Sequence, residues 1–328
     1  MLKLKYLFEN YDLAKEALTH WEHDEATLDK MLSQFRISSN AIYPFHQDGK
    51  VCFLRLAPLS EKMEKNVLGE MEFIDYLLAH DYPALKPVPT KTGETYLTLD
   101  TRWGQYYAAA FHRVSGVSIE DTDLSNEVLY EYGKSLGRLH SLSSEFVPEV
   151  KKWTHAEVLD WISSVLTKYN APDYALSHCA AIKSKLGALP VTRDNYGLVH
   201  YDFEPDNVFY DEEKKLCSVI DFDDGMYHWY ALDIEQVFGS LEEDLELCGE
   251  DLLAAEKEFL RGYKEAHCYT QEMDMARPLM RRFIDLYCYA RLIRCVSEKF
   301  ADEPEWLVEL RNELNEDILE KETNMSRM

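Results

Sequence analysis

The chain has 328 residues, and its 60 acidic against 35 basic side chains give a formal charge of −25. A field of that sign repels nucleic acid and anionic membrane surfaces, so neither is expected as a partner. With 46% hydrophobic and 29% charged residues, the composition is that of a globular chain long enough for one large or two smaller cores.

In chain order, Leu28, Met31, Leu32 and Phe35 recur at three-and-four spacing, so the residues before Arg36 are expected to be helical. A hairpin follows. Residues 37–45 and 51–56 read as strands, joined by the Asp48-Gly49 turn. Ser60 is a candidate cap for a helix with Met63, Val67, Met71, Ile74 and Leu78 inward, ended by the proline-rich stretch 83–89. Residues 95–99 and 106–111 are two further strand candidates. Beyond Val114-Ser115-Gly116 the pattern turns helical, over 124–141, 155–169, 174–186, 229–240, 251–267, 276–300 and 305–320. The switch near Arg113 divides the chain into a small mixed lobe, 1–113, and a larger, mainly helical one, 114–328. Seven scattered cysteines without a Cys-x-x-Cys predict reduced thiols, not a disulfide frame or zinc site. Charges at Lys3, Lys5 and Glu9 interrupt any signal-like apolar core, and a cytoplasmic location is expected.

One region between the helices has a different character. His200-Tyr201-Asp202-Phe203-Glu204-Pro205-Asp206-Asn207 is followed by Val219-Ile220-Asp221-Phe222-Asp223-Asp224. Leu198-Val199 and residues 217–220 read as short buried strands, and 211–215 as a hairpin turn. Phosphoryl transfer from a nucleotide needs one carboxylate to take the proton of the attacking hydroxyl. It also needs an amide and a second carboxylate to hold metal ions. Asp202, Asn207 and Asp221 are those chemical types in that order. The competing reading is an acidic surface loop ahead of an ordinary strand.

This stretch resembles the phosphotransferase family that contains aminoglycoside phosphotransferases, choline kinases and one type of homoserine kinase. The shared pattern is His-x-Asp, five residues to Asn, then a strand ending Ile-Asp-Phe. The resemblance runs from about 38 to 292 and is strongest over 198–238. It implies an α+β, two-lobed protein-kinase-like fold that binds ATP and Mg2+ in the cleft between lobes. By position it implies Asp202 as catalytic base, Asn207 and Asp221 as metal ligands, His200 as a structural member of the loop, and Asp233 as a brace. His140 matches a helix signature and is expected to be structural.

In the first lobe the resemblance implies that Arg55 stands where protein kinases carry a phosphate-binding lysine. A guanidinium is permanently charged and can contact phosphate through two bonds. Glu70 is its expected acidic partner and Glu72 the competitor; an ordinary edge-strand arginine is the alternative. A Gly-x-Gly-x-x-Gly loop is absent, and Ser38-Ser39-Asn40 stands in its place, so Ser39 and Asn40 either touch phosphate or form a strand bulge. Backbone groups near Ala110, Phe111 and His112 are the expected adenine contacts. Asp223 and Asp224 either assist the metal and substrate or cap a turn. Glu204 and Asp206, with the aromatic Tyr227 and Trp229, either face a cationic acceptor or pack structurally.

The expected activity is ATP-dependent phosphorylation of a small-molecule hydroxyl, on an aminoglycoside, an amino alcohol or a homoserine-like acceptor. The acidity of the chain favours a cationic one. Protein Ser/Thr phosphorylation by the same machinery is a second reading, and an inactive nucleotide-binding scaffold a third. A scaffold would be marked by loss of the base or metal ligands, and all are present here.

Overall fold

The computed structural model describes residues 1–327. The expected helical start is broken into α1 (Tyr11–Leu18) and α2 (Leu28–Leu32). Asn10 caps α1 by accepting the Leu13 N–H at 2.9 Å. Between the helices, buried Trp21 donates its indole N–H to the Val88 carbonyl at 2.9 Å, and that long-range bond outweighs continued helix. Phe35 lies outside any helix.

Seven elements then build the first sheet and its helix: β1 (Arg36–Ile37), β2 (Ala41–Gln47), β3 (Lys50–Pro58), α3 (Glu64–Ala79), β4 (Pro87–Val88), β5 (Tyr96–Thr101) and β6 (Gly104–His112). The order is β1-β2-β3-β6-β4, with β5 also paired to β6, and every pairing is antiparallel. Asp48 and Gly49, at φ 50° and 72°, make the tight β2–β3 turn that their residue types favour. The Ser38–Asn40 turn delays β2 until Ala41. Helix α3 starts at Glu64 and Ser60 does not cap it. Met63 is 40% exposed, and Phe73 and Leu77 join Val67, Met71 and Ile74 on the buried face, where Met63 and Leu78 were expected.

Period-two alternation gives the sheet two different faces. Tyr43, Phe45, Cys52, Leu54 and Leu56 pack on Leu13, Leu18, Trp21 and Leu32. Arg55 faces the other way, towards α3.

Beyond β7 (Val117–Ser118) come α4 (Asn126–Glu145), α5 (His155–Lys168) and α6 (Asp173–Gly187). Four short strands follow: β8 (Tyr196–Val199), β9 (Val208–Asp211), β10 (Leu216–Val219) and β11 (Met226–Trp229). The chain ends in α7 (Ala231–Glu243), α8 (Gly249–Ala266), α9 (Gln271–Cys295) and α10 (Glu305–Ser326). The strands pair as β7-β9-β10 and β8-β11, which fixes both motif segments at strand ends. The first residues dock far from their sequence neighbours, with Leu4 packing on Cys295 and Leu307. All seven cysteines are free thiols, four of them buried. Among the described residues no helix is long and apolar enough to cross a membrane.

Helices α4 and α8 meet backbone to backbone. A Cβ on Gly133 would stand 1.9 Å from the Phe259 carbonyl oxygen, and one on Gly262 1.8 Å from that of Tyr130. Such contacts can be relieved only by moving a helix. Gly133→Ala is therefore expected to cost at least ~2 kcal/mol in a denaturant melt. It should also displace Tyr263, whose hydroxyl reaches His140 near the site. A melt identical to the parent's would rule out this tight crossing.

Candidate active site

The loop from His200 to Asn207 is held from below by one buried carboxylate. Asp233 near the start of α7 is fully buried. It accepts the His200 N–H on Oδ2 and the Tyr201 N–H on Oδ1, both at 2.8 Å. Its Oδ2 also meets His140 Nε2 at 3.0 Å, while His140 Nδ1 meets the Tyr263 hydroxyl at 2.8 Å. These bonds stabilise a backbone that Tyr201 enters at φ 66°, a conformation that costs a non-glycine residue on the order of 1 kcal/mol.

His200 cross-links the loop to the second motif. Its Nε2 donates to the Ile220 carbonyl at 2.9 Å, and its Nδ1 accepts the Asp202 N–H at 3.2 Å. That pattern requires a neutral ring with the proton on Nε2. Burial enforces it by pulling the pKa down to about 4.

Asp202, Asn207 and the approach to Asp221 converge. Asn207 Nδ2 donates to Asp202 Oδ2 and to the Asp202 carbonyl, each at 3.1 Å. Its own carbonyl accepts the Ile220 N–H at 3.0 Å, which sets Asp221 as the next residue of the facing segment. With the amide nitrogen engaged, Asn207 Oδ1 is the atom left for a cation. Asp221 has φ 60°, a second strained backbone at the same place.

The carboxylates here are short of positive charge. Burial, then repulsion from Asp223, pushes Asp221 up to about 7. Burial, then repulsion from Glu204 and Asp221, holds Asp202 well above the usual carboxylate range. Among the described residues no three His, Cys, Asp or Glu side chains are grouped to cage a metal. An amide oxygen plus a carboxylate suits instead a hard cation that takes its other ligands from water and phosphate.

On the sheet side, Arg55 Nη1 and Nη2 donate to Glu70 Oε1 and Oε2 at 2.7 and 2.8 Å. Both residues are buried, and the guanidinium also lies 5.0 Å from the Phe111 ring. Glu72 points elsewhere and accepts the Glu149 and Val150 N–H groups at 2.6 and 2.9 Å. At the Ser38–Asn40 turn, Asn40 Nδ2 donates to Asp223 Oδ2 at 2.6 Å, and Ser39 Oγ accepts from Arg291 at 3.4 Å.

Of the expected adenine contacts, Ala110 and Phe111 have their backbone groups within the sheet, while His112 stands at its end. Ala110 and Phe111 lie inside the sheet, paired to β3 on one side and β4 on the other, and the His112 N–H donates to the Lys86 carbonyl at 2.9 Å. An interior strand spends its backbone groups on its own ladders. The Arg113 N–H still donates to the Val51 carbonyl at 3.2 Å, and from its carbonyl to Gly116 the backbone leaves the sheet. Ile42 shares the cleft-side face with Arg55, its partner in register. Phe209 and Ile220, beside the motifs, are half-buried among buried neighbours.

The residues expected to face an acceptor divide. Asp223 pairs with Lys62, and Asp224 accepts from Arg291 of α9 at 2.7 Å. Burial followed by repulsion from Asp244 and Asp206 pushes Glu204 up to about 7. Asp206 sits 3.7 Å from exposed Arg36 at the rim. Trp229 does not reach the cleft: its indole donates to the Pro190 carbonyl at 2.9 Å and its ring packs on His155 and Tyr196. Tyr227 lies on β11 under Lys151, 4.5 Å from its ring. Trp153, Trp161 and Tyr287 line the cavity beside Asp224 and pack edge to face with centroids 5.7–6.2 Å apart. Buried Lys152 donates to the Phe222 and Asp223 carbonyls at 2.8 Å, clamping the segment after Asp221. Nothing local in the sequence around Lys62 or Lys152 signals these contacts, since both reach across the fold.

A sheet lobe with a buried Arg–Glu pair, set over a braced Asp/Asn loop and a strand-end Asp, is the arrangement of kinase-like phosphotransferases. The chain belongs to the phosphotransferase enzyme family, whose profile matches residues 33–277. It is 24% identical over 272 residues to amicoumacin kinase of Bacillus subtilis (strain 168), covering 77% of this chain and 79% of that one. To homoserine kinase of Caulobacter vibrioides (strain NA1000 / CB15N) it is 26% identical over 219 residues, 65% of each chain. Among solved structures it is similar to amicoumacin kinase hAmiN in complex with AMP-PNP, Ca2+ and Ami. The TM-score is 0.77 at 19% identity, over 97% of this chain and 95% of that one, which shows a shared fold.

Proposed function

We propose that this chain is a cytoplasmic, ATP- and magnesium-dependent kinase that phosphorylates the hydroxyl of a small, amine-bearing molecule. The observation that carries the reading is Asn207, bonded through its amide to Asp202 and through its carbonyl to the residue before Asp221. Asp202 would accept the hydroxyl proton of the acceptor. Asn207 and Asp221 would hold the magnesium ion, which supplies charge neutralisation at the nucleotide phosphates. Arg55, aimed by Glu70, would bind those phosphates, with Ser39 and Asn40 above them. Adenine would lie against the Arg113–Gly116 backbone, between Ile42 on the sheet and Phe209 and Ile220 below.

The acceptor would enter the cavity lined by Trp153, Trp161, Tyr287 and Asp224. Aromatic faces beside a carboxylate suit an ammonium group. A small-molecule acceptor is supported over a protein one because α9 and the N-terminal residues wall this cavity. The test is ADP release by the purified protein across amino alcohols, amino acids and aminoglycosides. Turnover should require both one acceptor class and a divalent cation. Labelled phosphate appearing on protein and on no metabolite would overturn the reading.

A further inference from the structure

Several cations face the acids of this cleft, and each is anchored on an acceptor of the protein. Arg55 gives both terminal nitrogens to Glu70, and Arg291 is drawn onto Asp224 at 2.7 Å. Lys62 differs. It sits in the turn between the 3₁₀ segment Leu59–Glu61 and α3, with its side chain 17% exposed. Among the described residues its ammonium has one hydrogen-bond acceptor, Asp223 Oδ2. Two of its three donors are left free.

Asp223 is itself held in place. The same oxygen accepts from Asn40 at 2.6 Å, and Lys152 donates to the Asp223 carbonyl at 2.8 Å. Lys62 therefore points from a fixed anchor. It also stands, with Asn66 and Asp223, in the wall common to two neighbouring cavities. One contains Arg55, Glu70 and Asn40, the proposed phosphate side; the other contains Trp153, Trp161 and Asp224, the proposed acceptor side.

We propose that Lys62 is a catalytic residue whose free N–H groups bind the phosphoryl oxygens as the group passes between the two cavities. The inference rests on the phosphotransferase reading above. In the step, the bond from the γ-phosphorus to the bridging oxygen of the nucleoside triphosphate breaks, and the diphosphate leaves with that electron pair. A bond from the acceptor oxygen to phosphorus forms, and the acceptor's proton passes to Asp202. Lys62 keeps its proton throughout. Its charge counts most when negative charge is spread over the three equatorial oxygens, and an ammonium already anchored needs no reorganisation at that moment.

The test measures binding to the full chain of MgADP alone and of MgADP with aluminium fluoride, which stands in for the phosphoryl group in flight. Lys62→Met should weaken the fluoride complex by about 10²-fold. It should leave MgADP affinity within about threefold. Lys62→Arg should recover most of the loss. If Lys62→Met does not fold because Asp223 is left buried and unpaired, the double variant Lys62→Met/Asp223→Asn removes both charges and is compared in the same way. Undiminished affinity for the fluoride complex overturns the proposal, and so does an equal loss of both ligands, which would make Lys62 a strut between lobes. Absence of MgADP binding by the unaltered protein would instead remove the phosphotransferase reading, and Lys62 with it.

Discussion

Asp202→Asn should lower kcat on any accepted substrate by about 10²–10⁴-fold, the range expected when a positioned general base is removed. The change keeps size and shape, and an amide oxygen can still accept from Asn207 Nδ2, the bond seen at 3.1 Å. The loop also keeps its bracing, because Asp233 holds the His200 and Tyr201 N–H groups and not the Asp202 side chain. MgADP affinity and melting temperature should therefore stay close to the parent's while turnover collapses. A loss in kcat with no change in KM for ATP would locate the defect in the chemical step. Full activity in this variant would remove Asp202 from the role of base.

Asp221→Asn should make the ligand-free protein more stable at neutral pH while abolishing its response to magnesium nucleotide. Burial, and then the Asp223 carboxylate, raise the folded pKa of Asp221 to about 7. In the unfolded chain an aspartate titrates near ~3.9. Between those values the native carboxyl keeps a proton that the unfolded one has lost, so the native state loses stability as pH rises through this window. The substituted amide cannot ionise and escapes that loss. The variant should match the parent near pH 4, pull ahead as pH rises, and level off above about pH 7 with an advantage on the order of 2–4 kcal/mol. With MgADP present the order should reverse, because only the parent gains ligand stabilisation. Thermal melts from pH 4.5 to 8, with and without MgADP, test both halves. A variant no more stable than the parent at pH 8, or one still stabilised by MgADP, would contradict the metal-ligand assignment. The sign follows from geometry: carboxylates crowded for a cation destabilise the fold that holds them until the cation arrives.

The parts of the site that could be read beforehand are those in which chemistry and local spacing coincide. Asp202 and Asn207 share one loop, and β9 and β10 return the chain to Asp221 after a short hairpin, so the motif carries its own geometry. Arg55 and Glu70 could be paired on paper because they lie on a strand and the helix that follows it, β3 and α3. The adenine contacts expected at Ala110 and Phe111 meet a different limit. Alternation marked β6 as a strand, but only the partners on both of its edges, β3 and β4, show that its backbone groups are used. For Trp229 the choice between facing an acceptor and packing was open for a similar reason: closeness in sequence to Asp224 does not set direction, and β11 turns its indole towards Pro190.

By itself the order of residues determined the kind of chemistry, the two-part architecture and the loop that holds Asp202 and Asn207, because period and spacing act over a few residues. Which charges meet was decided only by the packed chain. Lys62 reaches Asp223 across 161 positions, Arg291 reaches Asp224 across 67, and Lys152 clamps carbonyls 70 and 71 residues away. Such pairs leave no local pattern, since their separation along the chain reflects how helices and sheets stack, and in a buried cleft every charge must find whichever partner that stacking presents.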